Sequence, residues 1–60
     1  MENQMSIQEV HAHAQTAINT GETENMDQFH AEVIAGFVRI MGHAAKIVDT
    51  TGASMKVVLA

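Results

Sequence analysis

The sequence predicts an all-α protein: a helical hairpin, with a short helix one and a long helix two, that assembles with copies of itself as a homo-oligomeric helical bundle. Three observations lead there. Apolar residues recur at helical spacing through most of the chain, and the first such run opens on a strong helix-start signal. The second run carries more apolar surface than the first can cover.

Helix one starts at Ser6. Ser6 as N-cap and Glu9 three residues later form a capping box, and Met5 stands where it can staple onto Val10. From there Ile7, Val10, His11, Ala14, Ala17 and Ile18 share one face, with Gln8, Glu9, Ala12, His13, Gln15 and Thr16 opposite. The expected span is 7–19, closed by Asn19-Thr20-Gly21 with Gly21 free to take positive φ. The polar stretch 20–24 has the length of a connection between antiparallel helices.

Helix two is expected to begin at Asn25 as N-cap, with Gln28 in the capping-box position; Thr23-Glu24 offers an earlier start. Acidic Glu22, Glu24 and Asp27 suit the positive end of its dipole. Through 25–48, Phe29, Ile47, Ile40, Val33, Met26, Ala44, Phe37, Val48, Met41, Ile34, Ala45 and Val38 fall in one arc of about 180°. With Thr50-Thr51-Gly52 as its stop, the helix would be roughly 37 Å long, about twice helix one, leaving its second half without a partner. Gly42 is the weak point, costing roughly 1 kcal/mol against Ala, and a break there would give three helices. Ala31, Ala35 and Gly42 lie opposite the arc, with Gly36 at its flank, so small residues open a second face of this helix to contact. The tail 53–60 holds Met55, Val57, Val58 and Leu59, whose spacing separates neither helix from strand. It is expected to fold back on the bundle, ahead of pairing with its copy or fraying.

At 60 residues the chain makes one helical-hairpin domain, 1–60, with 53–60 as a C-terminal tail. A domain this small buries only about 60% of its unfolded surface and needs support. With no cysteine, neither disulfides nor thiolate metal sites supply it, and a secreted, oxidising setting loses its argument. Self-association remains. The expected oligomer interface is Val33, Phe37, Ile40, Met41, Ala44, Ile47 and Val48, joining two hairpins as a homodimeric four-helix bundle.

Seven acidic residues against three basic ones leave a net charge of −4, and Arg39, Lys46 and Lys56 form no patch, which argues against nucleic acid. Arg39, His43 and Lys46 interrupt the most apolar stretch well short of the ~20 residues of a transmembrane span. No basic-then-apolar leader is visible in 1–7, so a cytoplasmic protein is expected.

Only the four histidines hint at chemistry. His11 and His30 fall on inward faces of facing helices, where with Glu9 or symmetry copies they could hold a divalent metal. No His-x-x-x-His or Glu-x-x-His pair supports that, and His11 and His13, two apart, point about 200° apart on a helix. Core histidine is the stronger reading, and no cofactor is implied. Without Cys, Tyr, Trp, a phosphate loop or paired carboxylates, the chain is not expected to be an enzyme. The expected function is a small acidic protein-interaction module of inhibitor or adaptor type, acting as a homo-oligomer, dimer first, and binding another protein. The alternative is an oligomer holding a metal ion or small ligand in an intersubunit groove through its histidines.

Overall fold

A computed structural model describes residues 6–60, with α1 (Ile7–Thr20), α2 (Gln28–Ile40), β1 (Ala45–Asp49) and β2 (Met55–Leu59) in chain order. The two strands pair antiparallel, Ile47 opposite Val57, so the fold is α+β and not all-α. The long second helix and the four-helix bundle built on it do not form.

α1 forms as its sequence dictates. The Ser6 hydroxyl accepts the Glu9 N–H at 3.1 Å, and the Glu9 carboxylate accepts the Ser6 N–H at 3.0 Å, closing the capping box. At the other end Gly21 takes φ 95°, and its N–H bonds Ala17 C=O at 2.7 Å. Met5, the proposed staple, lies outside the described residues.

α2 is shorter at both ends than its apolar pattern implies. Its N-cap is Asp27, not Asn25, and no side chain caps it. Gly42 at φ 95° lies in the left-handed region just past its end, and the Gly42 N–H bonds Arg39 C=O at 2.9 Å. Beyond that turn the chain is strand. The physical reason is the sequence there: β-branched Ile47 and Val48 on one side of a turn, and Val57 and Val58 on the other, fit a pleated ladder better than a helix. Thr50-Thr51-Gly52, expected to stop a helix, instead begins a hairpin loop, with Thr50 N–H on Ser54 C=O at 3.0 Å.

Residues 22–26 differ most from expectation. They run extended along the side of β2 that β1 leaves free, joined to it by bridges at Glu22–Val58 and Met26–Met55. Thr23 N–H bonds Val57 C=O at 2.9 Å, and Leu59 N–H bonds Gly21 C=O at 2.9 Å. Thr23 is buried, and its hydroxyl accepts the Val57 N–H at 3.0 Å while donating to Glu24 C=O. Residues expected to be a loop as far as Glu24 and the start of helix two from Asn25 thus become a third lane of backbone beside the sheet, because their unpaired backbone groups face those of β2.

The core draws Val10, Ala14 and Ala17 from α1, Ala31, Ile34, Ala35 and Val38 from α2, and Val57 from β2. Met26, Phe37, Ala45, Ile47, Met55 and Leu59 pack around it. One layer of helices therefore covers one face of the sheet, the face carrying Ala45, Ile47, Met55, Val57 and Leu59. The opposite face holds Lys46, Val48, Lys56 and Val58, with Lys56 paired to Glu22 at 2.7 Å.

Candidate interaction surface

α2 has two apolar faces, and the fold buries the one made of smaller residues. Ala31, Ile34, Ala35 and Val38, at i, i+3, i+4 and i+7, turn into the core. Phe29, Val33 and Ile40 lie on the opposite side and are exposed, Ile40 at 82% and Phe29 at 52%. The alanines explain the choice. α1 presents Ala14 and Ala17 toward the same core, and small side chains on both helices let the layers close tightly where Phe29 and Ile40 would hold them apart. Among the described residues none covers the far side, where Phe29, Val33 and Ile40 stay exposed.

The exposed stripe runs about 16 Å along α2, at a rise of 1.5 Å per residue from Phe29 to Ile40. Gly36 sits within it, and a Cβ built there meets no atom within 4 Å, so the middle of the stripe is open. Met41, 42% exposed, extends it past the helix end. On its flank Phe37 is half-buried, and its ring packs at 4.8 Å from that of His11 on α1. Ile7, one turn before His11, is also exposed.

The interface residues expected from the sequence are thereby dispersed. Val33 and Ile40 lie in the stripe and Phe37 at its border, whereas Met41 and Ala44 fall in the turn after α2. Ile47 and Val48, adjacent in β1, point to opposite faces of the sheet, Ile47 inward and Val48 outward. Phe29 was missing from that set, although its spacing of four to Val33 and eleven to Ile40 is itself a helical-face signal.

The structure assigns the histidines to separate surroundings. His11 is exposed beside Phe37, so the inward position expected of it is not the one it takes. His30 Nδ1 meets Asp27 Oδ1 across the first turn of α2, and its ring lies 5.5 Å from that of Phe29, edge-on. His43 is exposed in the turn after Gly42, and His13 is half-buried on α1. Among the described residues no group of three or more His, Cys, Asp or Glu is arranged to hold a metal ion.

Arg39 is the one basic side chain beside the stripe. Its guanidinium crosses from α2 to β1 and donates to Ala45 C=O from Nε at 3.2 Å and from a terminal nitrogen at 2.8 Å. Among the described residues no helix is long and apolar enough to cross a membrane. No protein-family model, curated protein or solved structure matches the chain.

Proposed function

We propose that the protein is a non-enzymatic interaction module, of inhibitor or adaptor type, that works in the cytoplasm as a homo-oligomer, a dimer in its simplest form. One observation carries this reading: the stripe of Phe29, Val33 and Ile40 on a well-formed helix, directly opposite that helix's buried face. Large apolar side chains exposed together on one helix face mark contact surfaces more often than scattered ones do. A domain with so small a core also gains stability when a second copy covers that stripe, since association adds to folding by mass action. A cytoplasmic setting fits a chain with no cysteine to oxidise.

Light scattering and sedimentation equilibrium at micromolar concentration test the reading. The expected mass is that of two or more chains, and Ile40→Asp is expected to return it to one chain with the far-ultraviolet circular dichroism unchanged, because Ile40 is 82% exposed within its own chain. A wild-type protein at the mass of one chain throughout that range would overturn it.

A further inference from the structure

The backbone of β1 is open along one side, and the pattern of hydrogen bonds fixes which groups point there. Ala60 N–H bonds Ala44 C=O at 3.1 Å and Thr50 N–H bonds Ser54 C=O at 3.0 Å, so residues 44 and 50 turn their backbone toward β2, and Lys46 and Val48 between them do the same. Ala45, Ile47 and Asp49 therefore turn theirs outward. Arg39 occupies one of these groups, the Ala45 carbonyl. Among the described residues the outward N–H and C=O of Ile47 and of Asp49 meet nothing. The other side of the sheet is treated differently, for residues 21–26 cover the outer edge of β2 from Gly21 to Met26. One edge is closed by the chain itself and the other is left unpaired, the usual template for an added strand.

We propose that this edge pairs with β1 of a second copy, antiparallel, about a two-fold axis at Ile47, to give one four-stranded sheet. The inference rests on the self-association proposed above and names its geometry. In that register Ile47 faces Ile47 of the second copy, Lys46 faces Val48, and Ala45 faces Asp49. The last pair supplies charge complementarity. Asp49 lies on the same sheet face as Ala45 and Ile47, is exposed, and takes part in no ion pair among the described residues. In this register the Ala45 carbonyl accepts the N–H of the second copy's Asp49, and the Arg39 guanidinium shifts from that carbonyl to the arriving Asp49 carboxylate, twice by symmetry. A charged residue pointing inward on an edge strand ordinarily blocks pairing. Here the register that pairs Ile47 with itself gives that charge a partner of opposite sign.

The helices agree with this arrangement. α2 packs against both β1 and β2, so pairing two β1 edges sets the two α2 axes about two strand spacings apart, about 10 Å, near the separation of packed helices. The side of α2 that faces the edge is the side of Arg39, and from there the helix surface passes through Glu32, which accepts from Gln28, and Gly36 to Phe29 and Ile40. Edge pairing therefore brings the Arg39, Glu32 and Gly36 side of each α2 to the seam, with Phe29 and Ile40 at its border.

Cysteine cross-linking tests the register in the 60-residue chain, which has no cysteine of its own. Lys46 and Val48 form a pair without mutual hydrogen bonds, whose Cα atoms approach to about 4.5 Å, within disulfide range. Under mild oxidation a mixture of Lys46→Cys and Val48→Cys chains is expected to yield a covalent dimer, and each variant alone to yield little. Charge reversal is the second arm: Arg39→Glu and Asp49→Arg are each expected to raise the dimer dissociation constant by about tenfold or more, and the double variant to recover most of that loss. A dimer by mass without the mixed cross-link, or without recovery in the double variant, overturns the edge pairing and leaves the homo-oligomer standing. Equal cross-linking of Lys46→Cys with itself overturns the register. A protein of single-chain mass overturns both.

Discussion

The two sides of α2 differ in a way that hydrophobicity does not anticipate. Its inner side is Ala31, Ile34, Ala35 and Val38, all fully buried, and its outer side is Phe29, Val33 and Ile40, all exposed, although the outer set is the larger and more apolar. Burial followed fit. Alanines on α2 against alanines on α1 let two helices and a two-stranded sheet close into a layer pair, and the bulkier side chains stay exposed on the other side.

Substitutions along this one helix break or sharpen the contrast. The largest effect is expected at Ile34, the largest fully buried side chain: Ile34→Ala removes core volume and should lower the unfolding free energy by about 2–5 kcal/mol in denaturant titration. Ala35→Leu inverts the experiment by overfilling the same face and should cost about 1–3 kcal/mol, with the core nuclear magnetic resonance signals shifted or broadened. Its neighbour Gly36 points into open space, and Gly36→Ala should raise the stability of the dissociated chain by about 0.5–1 kcal/mol through helix propensity alone. The smallest effect on folding is expected at Ile40, where Ile40→Asp in the dissociated chain should stay within about 0.5 kcal/mol of wild type while association is lost. Equal costs for Ile34→Ala and Ile40→Asp at high dilution would erase the distinction between the two faces.

The same contrast shows why sequence periodicity misplaced the core. An arc of about 180° on α2 includes both Ile34 and Val38 at one margin and Phe29 and Ile40 at the other, and periodicity weights the bulky residues most. The small face opposite that arc was visible as a second contact surface, but nothing local said that it would become the primary one. Ile40 fell in the half of helix two expected to lack a partner, and it is exposed; Val33, also exposed, fell in the half that helix one was to cover. The open backbone of Ile47 and Asp49 has no signature in side-chain type.

What the sequence determined by itself is local: the start of α1 at Ser6 with its reciprocal cap, its end at Gly21, and the interruption that Gly42 could impose. Each depends on groups within a few residues of one another, so the chain's own chemistry suffices. What only the tertiary structure decided is every feature that needs a distant partner. Residues 45–49 and 55–59 become strands because each supplies the other's hydrogen bonds, and residues 22–26 become their companion because β2 has a second edge to satisfy. α2 turned its alanines inward because α1 and the sheet offered a surface that only small side chains could meet closely.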